Sequence, residues 1–223
     1  MNLAPPGRLD WLSALPRLTA RALGHSLLAQ DALFPRIPER ARSALVDAAL
    51  DDGRARAEAV ARELGADPWI IAERLGVSIA HSDADASFGS VIVFAEYSAA
   101  PPRIALYRNA IELMNQRLAH PLLRGLEAGD CARIILAHEL YHHLAHAGAQ
   151  ATLSRRYRVT QFQIGRWRWS SGIAALEEIA AGAFAKALLG LKFHPRLLEL
   201  LCALGDPAPR GEQPASTQEE VGQ

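Results

Sequence analysis

The sequence predicts an α+β fold, with a small antiparallel sheet, two long apolar helices following it, and an amino-terminal helical extension. Three observations predict it. Residues 131–147, CARIILAHELYHHLAHA, form an unbroken helix-forming run between Asp130, a good N-cap, and Gly148, a good C-terminal stop. Residues 172–191, GIAALEEIAAGAFAKALLGL, form a second run as strongly helical. Upstream lie β-rich pieces at 77–80, 91–94 and 103–108, separated by polar or proline-bearing turns.

The elements follow in order. Residues 1–68 read as the helical extension, interrupted at Pro16, Pro35, Pro38 and Gly53. Between 39 and 64, Ala, Leu and Val recur at helical spacing with Arg and Asp between them, and Gly65 and Pro68 close the run. The main domain is placed at 69–205. Its opening WIIAERLGVS looks like the start of a helix-turn-helix, but SIAHSDADASFGSVIVFAEY supplies strands where a second helix is needed. Pieces 77–80 and 91–94, joined by the polar DADAS, are expected to form a hairpin, with RIALYR as a further strand. Residues 109–128 suggest another helix, with Pro121 inside it or ending it. The tail, 206–223, is polar and proline-containing and is expected to be disordered.

Composition bounds the function. In 223 residues, 24 Lys+Arg balance 24 Asp+Glu, which argues against a general electrostatic grip on nucleic acid. Cys131 and Cys202 are too far apart for a C-x-x-C motif and read as structural thiols. The sequence has neither a membrane-length apolar run nor a charged, apolar leader, so a soluble cytoplasmic setting is expected. One segment concentrates charge. In ATLSRRYRVTQFQIGRWRWSSG, Arg155, Arg156, Arg158, Arg166 and Arg168 alternate with Tyr157, Phe162, Trp167 and Trp169. Basic residues among aromatics can bind nucleic acid by charge and stacking. The zero net charge and the segment's place between the two long helices favour a lid or substrate contact, with the rings packed and the guanidiniums solvated.

The chemistry lies at His138-Glu139-Leu140-Tyr141-His142. Histidines four residues apart lie about 40° apart around a helix, so both imidazoles can share one metal ion. Glu139 then sits where it can take a proton from water rather than ligate. This is the H-E-x-x-H arrangement of zinc metallopeptidases. A catalytic Zn²⁺ takes three protein ligands and leaves one position open. His146 cannot be the third, because it stands about 12 Å along the axis from His138. The extended H-x-x-x-H-x-x-G-x-x-H pattern also fails, with Ala145 and Gly148 in place of its Gly and last His. The acids of the second helix, Glu177 and Glu178, remain. Ala181, Gly182 and Ala185 share the face of Glu178 and would permit close approach to the first helix, whereas bulky Phe184 shares the face of Glu177. Glu178 is the preferred ligand.

IILAHELYHHL followed by EEIAAGAFAKALLGL resembles the ImmA/IrrE metallopeptidases, zincins with a glutamate third ligand. The likeness covers roughly residues 69–191. Glu178 matches the ligand position, Phe184-Ala185 the family's Phe-Ala and Leu188-Leu189 its Leu-Leu, while Gly182 replaces an Asn and Gly190-Leu191 replace Met-Pro. The resemblance implies a zincin-like fold and a zinc-dependent endopeptidase. It also implies a protein substrate, of the kind of a bacterial transcriptional repressor in stress or mobile-element regulation, held against an edge strand drawn from RIALYR or VIVFAE. On this reading His138, His142 and Glu178 hold Zn²⁺ and Glu139 is the catalytic base. Tyr141, Tyr157, His143 and His146 are the candidates for an oxyanion donor. The competing reading is a non-catalytic zinc-binding regulator using the same cleft; Glu139 speaks against it, because a structural site has no use for a base there.

Overall fold

The computed structural model describes residues 18–84, 87–88, 91–118, 129–148 and 151–203. Residues 1–17 of the expected extension, Pro121 and the tail at 206–223 lie outside the described residues. Within them the chain is a mixture of helices and small sheets. Helix α1 (Ala20–Gln30) starts where the Thr19 hydroxyl accepts the Ala22 amide at 3.1 Å. A 3₁₀ turn (Phe34–Arg36) leads to the long α2 (Glu39–Leu64). Glu39 in its first turn and Arg62 in its last suit the helix dipole, and Gly65, at φ +85°, ends it. Val46, Ala49, Gly53, Ala57 and Val60 form its buried stripe at spacings of three and four.

Asp67 caps the short α3 (Pro68–Arg74), accepting the Trp69 amide at 2.9 Å, with Pro68 at its first position. Five strands and two helices follow: β1 (Ser78–Ser82), β2 (Ser87–Phe88), β3 (Val91–Ile92), β4 (Ala95–Ala99), β5 (Pro102–Tyr107), then α4 (Arg108–Leu118) and α5 (Cys131–Ala147). After α5 come α6 (Leu153–Arg156), the ribbon β6 (Arg158–Ile164) and β7 (Trp167–Gly172), α7 (Ala175–Leu189) and α8 (Arg196–Ala203). Strand β1 follows α3 directly, so no helix-turn-helix forms there.

The main sheet has the order β1-β5-β4. It is mixed, and this corrects the expected antiparallel sheet. Strand β1 runs parallel to β5, from Ser78 opposite Arg103 to Ser82 opposite Tyr107, while β4 runs antiparallel to β5, from Ala95 opposite Leu106 to Ala99 opposite Pro102. The expected hairpin between 77–80 and 91–94 does not form; Val91–Ile92 pairs instead with Ser87–Phe88. The physical reason lies in β5. Ile104 and Leu106 are fully buried, so β5 takes the sheet's centre with a partner on each side. β4, reached by a tight turn, takes one side and leaves β1 the other.

Helix α5 is buried nearly all round and packs against β4 and β5 as well as α7. Helix α7 in turn packs against α2, α5 and α1, and Leu176 and Ile179 through Ala185 are all buried. One hydrophobic core therefore runs from Leu23 in α1 to Leu201 in α8, and residues of the amino-terminal extension belong to it. The closest helix contact is at Gly53 of α2, where a Cβ would stand 2.2 Å from the Ala180 carbonyl oxygen and 2.9 Å from Ala183 Cβ. Only glycine lets α2 lie so close to α7. Among the described residues no helix is long and apolar enough to cross a membrane.

Gly53→Ala tests this packing. Alanine favours an exposed helix by about 1 kcal/mol over glycine. Here it should instead destabilise by about 1–3 kcal/mol, the usual result of forcing an atom into a filled core. Denaturant unfolding measures it, and a neutral or stabilising result would show that the two helices do not meet as described.

Candidate metal centre

Helix α5 forms where the sequence places it. The Asp130 carboxylate caps it by accepting the Ala132 amide at 2.9 Å, and the Gly148 amide closes it on the Leu144 carbonyl. Gly148 is extended, at φ −72°, and so ends the helix without a left-handed turn. One face carries His138 and His142, whose Nε2 atoms lie 3.3 Å apart. Between them in sequence, Leu140 and Tyr141 point into the core and are fully buried. The Tyr141 hydroxyl donates to Asp52 of α2 at 3.0 Å and its ring packs on Phe184 of α7, which fixes the rotation of α5.

Helix α7 brings Glu178 to this face. Its first amide, Ala175 N, is capped by the distant Asp31 carboxylate at 2.9 Å. The two glutamates of its first turn, about 100° apart around the axis, diverge. Glu178 Oε2 lies 3.2 Å from His138 Nε2, and Oε1 lies 3.5 Å from His142 Nε2. Glu177 turns away and accepts from Ser154 N at 3.1 Å and Ser154 Oγ at 2.9 Å, pinning α6 to α7. The residue chosen from the small-residue face is thus the one beside the histidines. Part of the reason differs from expectation. Gly182 does not meet α5, because His194 lies against it, and Phe184 packs on α5 through Tyr141.

His138, His142 and Glu178 form a group that could hold a metal ion. The fit can be tested on distances. Donors about 2.0–2.1 Å from a tetrahedral ion stand about 3.3 Å from one another. The two Nε2 atoms, 3.3 Å apart, match that spacing, and the carboxylate faces each of them with a different oxygen, Oε2 at 3.2 Å from His138 and Oε1 at 3.5 Å from His142. The donor chemistry also suits. Burial, followed by the charge of His138, lowers the pKa of His142 to about 4, so it is neutral and its lone pair is free. Burial would lower the His138 pKa as well, but the hydrogen bond and charge of Glu178 overcome it and raise it to about 9. Glu178 resists burial in the same way and is drawn down to about 2, chiefly by its hydrogen bond to His138. A metal ion at this point replaces one proton on His138 and meets a carboxylate already ionised.

Glu139 stands apart from the triangle, in an apolar cleft with His138, Glu178, Phe94, Met114 and Ile135. Burial there pushes its carboxyl above the ordinary carboxylate range, which suits a group that must take a proton and release it. Ala95, at the start of edge strand β4, lines the same cleft. RIALYR lies mostly in β5, the central strand, so of the two segments considered only VIVFAE reaches a sheet edge beside the cleft.

The candidate oxyanion donors separate. Tyr141 is spent on Asp52, buried His143 lies with Nδ1 3.0 Å from the Tyr97 hydroxyl, and the Tyr157 ring lies under Arg156. His146 lines an open groove with His142, Arg155 and Arg158. The expectation of packed rings in the Arg- and Trp-rich segment is corrected. Phe162, Trp167 and Trp169 are 54%, 76% and 60% exposed, because a two-stranded ribbon has no second layer to cover its face. Sequence reasoning passed over His194, Arg196, Asp31 and Asp52. The one signal for His194 was Gly182, a gap on the face of Glu178 that some other side chain had to fill.

Compared with protein-family models, curated proteins and solved structures, the chain matches none.

Glu178→Ala should weaken metal binding at least tenfold, while Glu177→Ala should bind as wild type and lose stability through the freed Ser154. Equal metal affinities for the two variants, in chelator competition, would refute the assignment. Binding near neutral pH should also release about one proton, from His138, and tighten as pH rises towards about 9, above which that proton is lost without the metal. Calorimetry in buffers of different ionisation enthalpy reads the proton; no release would show that Glu178 does not hold His138 protonated.

Proposed function

We propose that this chain is a zinc-dependent endopeptidase. The observation that carries the reading is the donor triangle of His138, His142 and Glu178, with the carboxylate of Glu139 beside it in an apolar cleft. Two imidazoles and one carboxylate suit zinc and leave an open coordination position. When bound, Zn²⁺ supplies Lewis acidity, polarising a scissile carbonyl and bringing the pKa of water to about 7.

The chain's own residues do the rest. Glu139 accepts the proton of the attacking water and returns it to the leaving amine, a cycle that its raised pKa makes easier. The free edge of β4, whose residue Ala95 lines the cleft, offers main-chain hydrogen bonds to an extended substrate. Ile134, Ile135, Met114 and Leu198 would exclude water and seat an apolar side chain. The resemblance to ImmA/IrrE peptidases supports a protein substrate of the transcriptional-repressor kind and a cytoplasmic setting, and it is compatible with the α+β architecture. A non-catalytic zinc-binding regulator could use the same triangle, but it would gain nothing from burying Glu139 beside it.

The decisive comparison is zinc-loaded wild type against Glu139→Gln on a proteome-derived peptide library read by mass spectrometry. The variant should keep zinc at wild-type affinity and lose cleavage by about 10²-fold or more. Equal cleavage by both proteins would end the mechanism. Tight zinc binding with no cleavage by wild type would favour the regulator.

A further inference from the structure

Glycine at 182 stands one helical turn beyond Glu178, on the same side of α7. A Cβ there would lie 2.4 Å from Cε1 and 2.8 Å from Nε2 of His194, so the imidazole occupies the space a side chain at 182 would need. His194 is 1% exposed. Its tautomer is fixed by geometry. The Arg196 backbone amide, which can only donate, points to Nδ1 at 3.2 Å, so Nδ1 accepts and Nε2 carries the hydrogen. Burial, and then the charge of Lys186, keeps the ring neutral by lowering its pKa to about 4.

That Nε2–H is buried and has no acceptor among the described residues. Leaving a buried donor unpaired costs about 1–3 kcal/mol, so an acceptor is expected nearby. His194 lines a small cavity of about 80 Å³ with Gly182, His138, Glu178, Arg196 and Glu199. Arg196 Nε is a second buried donor without an acceptor. Two carboxylates line the cavity: Glu199, engaged by Arg196 Nη1, and Glu178, whose partners are the two histidines. Glu178 stands one helical turn from Gly182, against which Nε2 packs, and a carboxylate has lone pairs to spare for a further donor.

We propose that His194 is the positioning residue of the metal centre, giving its Nε2–H to the Glu178 carboxylate across this cavity through one water, and so holding the third ligand in place. The inference rests on the reading of His138, His142 and Glu178 as metal ligands. It explains why a glycine is tolerated on the ligand's own face: the support for Glu178 comes from the loop before α8. A ligating carboxylate that is itself hydrogen-bonded holds its metal about 10–100-fold more tightly than one that is not.

The test measures zinc affinity by competition with a chromophoric chelator, without any substrate. His194→Leu, which fills the volume with no donor, should weaken zinc binding by about 10–100-fold. His194→Gln, which keeps an N–H near the Nε2 position, should stay within about threefold of wild type. Gly182→Ala leaves His194 in the chain but pushes the ring aside, and should weaken binding as His194→Leu does. Thermal melts of the metal-free variants identify any that do not fold. His194→Leu binding zinc like wild type would overturn the inference alone, as would an unchanged affinity in a folded Gly182→Ala protein. Wild type failing to bind zinc would overturn both this inference and the proposed function.

Discussion

Everything at the site depends on Glu178 standing against two histidines of another helix. Such a contact is costly to arrange. Three polar groups give up much of their water, and each alone would be driven towards its neutral form. Together they compensate one another. Glu178 keeps its charge because His138 holds a proton, and His142 stays neutral because burial, and then the charge beside it, disfavours a second one. The cluster is thus a site with one exchangeable positive charge. A cation can replace the proton without a rearrangement of the ligands, whose separations already suit a tetrahedral ion.

The packing of α7 makes that contact possible. The helix is buried on almost every side, and its alanines and Gly182 let neighbours approach closely. Gly53 of α2 takes one side, Tyr141 of α5 another, and His194 fills a third at Gly182. With three sides fixed, the direction of Glu178 is fixed too. The amino-terminal helices therefore do more than extend the fold. Gly53 seats α7, Asp31 caps its first turn, and Asp52 ties down the tyrosine between the two histidines. A change in α1 or α2, far from the triangle in sequence, would alter it through the register of α7 and the rotation of α5.

Much of this was legible from local pattern, and what was not legible was non-local. Asp130, the apolar run and Gly148 define α5 because capping and periodicity act within a few residues. The two histidines and Glu139 follow from one helical turn. Glu178 was preferred over Glu177 because small residues shared its face, and the geometry agrees, although Gly182 turned out to face an imidazole rather than α5. Strand pairing was less accessible. Alternation marks a strand but not its partner, and the parallel pairing of β1 with β5 joins residues more than twenty positions apart, with β4 in between in sequence. His194 illustrates the same limit. Nothing near FHPRLLEL announces a role, and only the gap at Gly182, twelve positions earlier, gives one.

The ribbon of β6 and β7 follows the opposite logic to the rest of the molecule. Elsewhere in the described residues only Leu18 and Ile70 are exposed large hydrophobic side chains; here Phe162 stacks on Trp169 at 6.3 Å in the open, with Ile164 and Trp167 beyond them. The pairing register puts Phe162 opposite Trp169 and Ile164 opposite Trp167, so all four lie on one face, and Gln163 opposite Arg168 on the other. The ribbon is anchored at its base through α6 and the Ser154–Glu177 bonds, and midway along β6, where Arg36 holds the backbone at Gln161. The groove beneath it is lined by His142, Arg155 and Arg158. The anchor and the metal triangle thus share one turn of α7: Glu177 fixes the ribbon and Glu178 faces the histidines. Neighbouring carboxylates, separated by a single helical step, couple the exposed arm to the metal triangle. Any displacement of the ribbon that strains Ser154 acts on the helix turn that carries the third ligand.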